Sequence, residues 1–312
     1  MDISLIICTR DRCQQLVRCL QSVRGITFER PWELIVVDNG SVDETAAVVR
    51  QFIGSAGVSA VYVFEPKLGK SNALNTAITI ARGQILAFTD DDCYPAQDFL
   101  SRVWSAFVDP SVGYITGRIM LHDPTDYPVT INETTLPLTF PARSLVTVGA
   151  VQGANMAFRR RILTDIGGFD PVLGPGTQFV SEDLDAAGRA SAAGWKGRYC
   201  PEVIVSHHHG RKASDIPRLM KLYGMGAGAY HFKLLLNGHE FLWFAKSVYQ
   251  VRRRSKFSFR MVLWEPVGIV KYGNLCLVRT FRNWLAGARG GCRATKGSVC
   301  RDHQRSPHLC RS

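Results

Sequence analysis

The sequence predicts an α/β fold, a mostly parallel sheet flanked by helices, followed by a basic, mainly helical C-terminal region. Two observations carry the first part. Over residues 1–110, short apolar runs rich in β-branched residues alternate with segments of helical period, the pattern of strands buried on both faces under crossover helices. With 312 residues, 46% hydrophobic and 21% charged, the chain can also bury a full core and is no disordered tail. The third observation is an uneven charge within a net +12: residues 211–312 hold 20 Lys and Arg against 4 Asp and Glu, whereas residues 1–210 hold 18 against 22.

Taken in order, Ile3 to Cys8 reads as a buried strand, and Leu16, Cys19, Leu20 and Val23 recur at helical spacing. Leu34 to Val37 is the second strand, and Ser41 with Glu44 predicts a capping box opening a helix that carries Val48 and Phe52. Val58 to Phe64 is the third strand, Ser71 to Ala81 a helix with Leu74, Ala77 and Ile78 on one face, and Ile85 to Phe88 the fourth strand. A helix near Ala96 to Phe107 and a strand near Gly113 to Ile119 follow. Leu121 to Pro141 has no period and reads as a long loop over an active site. Order returns with Ala150 to Phe158, a short helix at Arg160 to Ile166, a helix from Glu182 to Ala193 and a strand ending near Ser206. The domain division is thus 1–210 for the α/β unit, 211–290 for a basic helical region and 291–312 for a disordered tail.

Met1-Asp2 runs straight into a strand-like segment that soon meets Arg10, Asp11 and Arg12, which argues against a secretory leader. The longest uncharged stretch, Ser144 to Phe158, is too short and too polar to cross a bilayer. Nine cysteines is an odd number, and Cys8, Cys13, Cys19 and Cys93 sit in apolar or helical contexts, which suits reduced thiols in a cytoplasmic setting.

Asp90, Asp91 and Asp92 directly follow a buried strand, so they lie at its carboxyl end, where ligands bind in open α/β sheets. Three like charges there repel one another unless a cation is near, and hard oxygen ligands suit Mg²⁺ or Mn²⁺. His207, His208 and His209 follow the strand-like "EVIVS"; an imidazole beside an oxygen-rich site can complete a metal shell, and alternation lets only His207 and His209 share a face. "LGKS" at Leu68 to Ser71 is not a phosphate-binding P-loop, because position 64 is Phe where that motif needs Gly.

Seven motifs occur in one order: "SLIICTRDR" (Ser4 to Arg12), "ELIVVDNGSVDET" (Glu33 to Thr45), "GKSNALNTAI" (Gly69 to Ile78), "ILAFTDDDC" (Ile85 to Cys93), "GANMAFRR" (Gly153 to Arg160), "GGFDP" (Gly167 to Pro171) and "SEDLD" (Ser181 to Asp185). In this the chain resembles the family 2 glycosyltransferases, inverting enzymes of the GT-A fold, over about residues 3–210. The resemblance implies that Thr9 and Asp38 line the nucleotide-base pocket, with Arg12 and Lys70 of the first and third motifs on the donor side. It also implies that Asp90 and Asp92, with Asp91 between them, supply the family's Asp-x-Asp acids to the diphosphate and metal. It further implies that Asp183, beside Glu182, is the general base, since an acceptor hydroxyl needs a carboxylate to take its proton. From the residues alone, Asp38 could as well form an Asx turn, and Glu182 and Asp183 could simply favour a helix N-terminus.

The implied function is metal-dependent transfer of a single sugar from a nucleotide-diphospho-sugar, UDP by default, to a hydroxyl of a glycan or lipid-linked acceptor. Gln250, Arg253 and Arg254 in "QVRRR" depart from the motif of the processive polymerases. Two other classes are kept open: sugar-phosphate nucleotidyl transfer, and a non-catalytic protein binding membrane or nucleic acid. Arg252 to Arg254, Lys256 and Arg260, interspersed with Phe257, Phe259, Trp264 and Trp284, suit an anionic membrane surface at the cytoplasmic face better than nucleic acid. Phe169 after Gly167-Gly168 either faces the acceptor or packs, Trp195 reads as packing, and Cys292, Cys300 and Cys310 lack a usual zinc spacing.

Overall fold

The computed structural model describes residues 1–55, 57–236 and 261–291. The Arg252 to Arg260 stretch, Gln250, the side chain of Trp284 and the tail with Cys292, Cys300 and Cys310 lie outside the residues and side chains described.

Strands β1 (Ile3–Thr9), β2 (Trp32–Asp38), β3 (Ala60–Phe64) and β4 (Ile85–Asp90) alternate with helices α1 (Cys13–Arg24), α2 (Thr45–Ser55) and α3 (Lys70–Ile80). Then come β5 (Cys93–Pro95), α4 (Phe99–Ala106), β6 (Val112–Leu121), β7 (Leu138–Phe140), β8 (Asn155–Arg159), α5 (Arg160–Asp165), α6 (Glu182–Ala192) and β9 (Lys196–His207). A 3₁₀ turn at Ala213–Asp215 leads into α7 (Ile216–Leu236), and the last described helix, here α8, is Glu265–Gly291.

Among the described residues one sheet runs in the order β3-β2-β1-β4-β8-β6-β9-β5, with β7 on β9. β1, β2, β3 and β4 pair in parallel, β8 enters antiparallel between β4 and β6, and β6 pairs in parallel with β9. Six strands therefore point the same way and the fold class predicted from sequence holds. One register brings the chemistry together: Thr9 lies opposite Asp38, and Cys8 opposite Asp90, so the predicted residues share the carboxyl edge of the parallel half.

Both faces are covered. Leu5, Ile7, Leu34, Val36 and Ala87 pack on the α1, α2 and α4 side, while Ile6, Ile35, Val37, Leu86 and Phe88 pack on the α3 and α6 side. Tyr230 and Leu234 of α7 belong to that second core cluster, so the basic half begins with a helix that packs on the sheet unit. α7 can come close because glycines line the contact on both sides: a Cβ at Gly226 of α7 would fall on the Val180 backbone, and one at Gly188 of α6 on the Tyr230 ring.

Several expectations need correction. The Ser41–Glu44 capping box does not form; Ser41 Oγ accepts from Asp11 N, and Asp43 Oδ1 instead accepts from the backbone N and Oγ1 of Thr45 at the head of α2. The third strand starts at Ala60 and the fourth helix at Phe99. Within Ala150 to Phe158 only Asn155 onward is strand. The predicted loop from Leu121 to Pro141 contains β7 on the sheet edge, and Asn132 bridges to Ile119. Phe169 is fully buried with its ring edge-on to Phe88 and Phe158, hence core, and Trp195 packs at the sheet under the guanidinium of Arg161.

Candidate active site

The three aspartates leave β4 in different directions. Asp90 is half-buried and takes a charge-assisted hydrogen bond from Lys70 Nζ. Asp91 is buried; its Oδ2 accepts from Thr9 Oγ1 at 2.7 Å, and Arg12 Nε lies 3.4 Å from its Oδ1. Asp92, also buried, pairs with Arg12 Nη2 at 2.7 Å and with His207 Nε2 at 3.2 Å.

Their environments separate them. Burial pushes the Asp91 carboxyl up to about 7, against the opposing charge of Arg12. Burial would raise Asp92 too, but the hydrogen bond and charge of His207 and the Arg12 guanidinium outweigh it and hold that carboxyl below the usual range. Lys70 is buried, which disfavours its charge, yet Asp90 and Glu182 more than compensate and hold the ammonium up.

Asp90, Asp92, Cys93 and His207 offer ligand atoms that all lie within 4.8 Å of one another. Burial raises the Cys93 thiol well above its ordinary value, and three of the four donors, two carboxylates and an imidazole, are not sulfur. That oxygen-rich set fits Mg²⁺ or Mn²⁺ better than a thiolate metal. His207 Nδ1 is buried with no hydrogen-bond partner, and Asp91 is not part of the cluster. His207 and His209 do share a face, their rings 5.0 Å apart, while His208 turns away to Tyr94 Oη at 3.0 Å.

Facing this edge, α6 begins with the two further acids. Asp183 is held from both sides, Oδ2 accepting from Gly153 N and Oδ1 from Leu184 N, each at 2.7 Å. Burial nevertheless raises its carboxyl above the ordinary range. Glu182 is buried, Oε1 is 3.9 Å from Lys70 Nζ and Oε2 has no hydrogen-bond partner. Burial first, and the Asp183 charge second, push it up, whereas the two N–H groups on Asp183 favour its ionised form, so Asp183 is the member better suited to accept a proton at neutral pH. Lys70 thus joins the two carboxylate sets, one on β4 and one on α6.

Asp38 is buried and engaged twice: Oδ1 accepts from Ser41 N, three residues on, at 2.8 Å, and Oδ2 from Tyr62 Oη at 2.8 Å. Thr9 uses its hydroxyl to hold Asp91. All ten residues singled out from sequence therefore lie at one edge of the sheet or on elements linked to it by these contacts. Sequence reasoning missed Tyr62, which reaches Asp38 from two positions along the neighbouring strand register, and Gly153, whose N–H fixes Asp183. Strand alternation pointed to the first; no side chain existed to point to the second.

α3 also fastens the far rim. Lys70 N donates to Pro175 O, Ser71 Oγ to Leu173 O at 2.7 Å, and Asn75 exchanges two hydrogen bonds of 2.8 Å with the Phe169 backbone. Gly167 and Gly168, with φ of 77° and 73°, make the turn that presents this backbone.

Residues 4–167 match the family model for glycosyl transferase family 2. Among curated proteins the chain is 27% identical over 206 residues to glycosyltransferase AglE of Haloferax volcanii, 66% of each chain. It is 28% identical over 232 residues to the pre-mycofactocin glycosyltransferase of Mycobacterium tuberculosis, 72% of this chain and 47% of that one. It therefore spans about two thirds of the first relative's length and about half of the second's. Among solved structures, the mannosyltransferase PcManGT of Pyrobaculum calidifontis, in complex with GDP-Man and Mn²⁺, aligns over 90% of this chain and 82% of its own, with a TM-score of 0.63 and 20% identity. TarS residues 1–349 of S. aureus with UDP aligns over 74% and 69%, with a TM-score of 0.54 and 17% identity.

Proposed function

Because the chain belongs to glycosyl transferase family 2, we propose that it moves one sugar, with inversion, from a nucleoside-diphosphate sugar to a hydroxyl of a glycan or lipid-linked acceptor. The observation that carries the reading is the placement of two carboxylate sets, Asp90-Asp92 and Glu182-Asp183, on opposite sides of Lys70. Asp183 takes the proton of the acceptor hydroxyl as its oxygen bonds to the anomeric carbon. The bond from that carbon to the phosphate oxygen breaks, and its electron pair leaves on the nucleoside diphosphate. Asp90, Asp92 and His207 would hold Mg²⁺ or Mn²⁺, which when bound neutralises charge on the diphosphate. Thr9 and Asp38 border the base, Lys70 places a positive charge beside Asp90, and Arg12 keeps Asp91 and Asp92 in place.

The relatives' ligands leave the nucleotide to experiment. Thermal melting against UDP, GDP and dTDP, each with and without Mn²⁺, is expected to show a metal-dependent rise with one nucleotide; at 100 times Kd the stabilisation would be about 2.7 kcal/mol. No rise with any nucleotide would overturn the reading.

The proposed partner of the C-terminal half is an anionic membrane surface, met peripherally. No described helix is long and apolar enough to cross a membrane. Yet α8 and the turn before it expose Leu263, Val270, Leu277, Val278 and Phe281, and Lys271, Arg279 and Arg282 are exposed on the same helix. The opposite side of α8 packs on α7 through Tyr272, with Gly268 against Met225. Rings and aliphatic chains beside cations suit a headgroup layer. Leu277→Glu together with Phe281→Glu is expected to reduce binding to phosphatidylserine vesicles about 10-fold or more in sedimentation; unchanged binding would remove this face from membrane contact.

A further inference from the structure

We propose that Arg211 is a phosphate-binding residue of the transfer site, a role that rests on the transferase reading given above. Four residues beyond His207, its peptide is pinned on both sides: Arg211 N donates to His209 Nδ1 at 3.0 Å and its carbonyl accepts from Tyr127 N at 2.8 Å. Nη1 donates to Thr130 Oγ1 at 3.2 Å and to Tyr223 Oη at 3.1 Å. Both acceptors are neutral hydroxyls. Among the described residues no carboxylate lies within 4.0 Å of this guanidinium, whereas the neighbouring cations are matched: Arg12 to Asp92, Lys70 to Asp90 and Lys212 to Asp126.

Location gives the unmatched charge its meaning. His209, whose Nδ1 accepts from Arg211 N, has its ring 5.0 Å from that of His207, the imidazole that lies 3.2 Å from Asp92. The half-buried guanidinium therefore belongs to the segment that borders the Asp92–His207 side of the site. With Nη1 engaged by hydroxyls, Nε and Nη2 have no hydrogen-bond acceptor among the described residues and are not buried orphans. That edge of the fork matches two oxygens of a phosphate.

The brace is also held at a cost. Thr130 is β-branched and sits at φ 58°, in the left-handed region that costs such residues about 1–3 kcal/mol. Its Oγ1 donates to Val129 O and accepts from Arg211, while Val129 is buried against Ile216, Leu219 and Met220 of α7. The strained residue is the one that orients the guanidinium, so the segment between β6 and β7 functions here as a support for Arg211.

Two phosphates have this chemistry: the diphosphate of the donor and the phosphate of a lipid-linked acceptor. Calorimetry on the full chain separates them, using the nucleoside diphosphate with Mn²⁺ as one probe and farnesyl phosphate as the other. Arg211→Gln is expected to weaken one of the two by about 10-fold or more, the usual scale of a charge-assisted pair, and Arg211→Lys to recover part of it. Loss toward the nucleotide assigns the donor diphosphate, and loss toward farnesyl phosphate assigns the acceptor. Tyr223→Phe, which removes a brace and keeps the charge, should cost less than Arg211→Gln. Unchanged affinity for both probes, with only a lower melting temperature, would reduce Arg211 to a loop anchor and overturn the inference. A wild-type chain that binds neither probe would overturn the transferase reading with it.

Discussion

Asp183→Asn is expected to lower turnover by roughly 10³-fold while leaving nucleotide affinity within about twofold, because general-base catalysis contributes about 10²–10⁴. The side chain sits at the head of α6, away from the Asp92–His207 pair, and its two oxygens each accept one backbone N–H. Asparagine keeps one acceptor and turns an NH₂ toward the other donor, so a loss of stability of about 1–3 kcal/mol accompanies the loss of the base. Nucleotide titration of the mutant distinguishes the two effects: a folded, nucleotide-binding, inactive protein is the expected result. Turnover near wild type would remove Asp183 from proton transfer. The wild-type pH profile supplies a companion test. Burial raises the Asp183 carboxyl, and the base must be ionised to act, so kcat falls as pH drops through that raised value, above the ordinary carboxylate range near 3.9.

Gly226→Val is expected to lower both stability and turnover. A Cβ there would collide with the backbone of Val180, and Ser181 Oγ donates to Gly226 O at 3.1 Å. These residues immediately precede Glu182 and Asp183, so α7 bears directly on the start of α6. Backbone cannot step aside as a flexible side chain can, and overpacking of about this size costs roughly 3 kcal/mol. Denaturant unfolding should show a lower midpoint, and turnover measured well below the melting temperature should fall as well. A variant with an unchanged midpoint would mean that α7 does not hold this position in solution.

The central strands were legible because they are buried on both faces. Leu34 to Val37 and Ile85 to Phe88 are continuous apolar runs, Ile3 to Cys8 is apolar except for Ser4, and each is a strand with nearly every residue buried. β5 and β7 were not, since three residues carry no period and their pairing to β9 is decided by distant chain. α7 falls in the region expected to be helical, but its packing face was not legible, for a physical reason. Its Gly224, Gly226, Ala227, Gly228 and Ala229 are buried because helix and loop backbones approach closely there, a contact that amphipathic periodicity does not register. The acids of the site could be named from motifs, but Tyr223 and Thr130 could not. They reach Arg211 across 12 and 81 residues of sequence, and nothing in their local surroundings marks them.

The hydrogen bonds between α3 and residues 169–175 have a kinetic consequence. In the proposed transfer, the helix that would offer Lys70 to the donor at its first turn also holds, through Ser71 and Asn75, the backbone at Phe169 and Leu173 that would border the acceptor. Whatever settles the head of α3 therefore settles the rim as well, and the two substrates should not add at random. A compulsory order is expected, nucleotide sugar first, with the released nucleoside diphosphate competing against the donor and inhibiting noncompetitively against the acceptor.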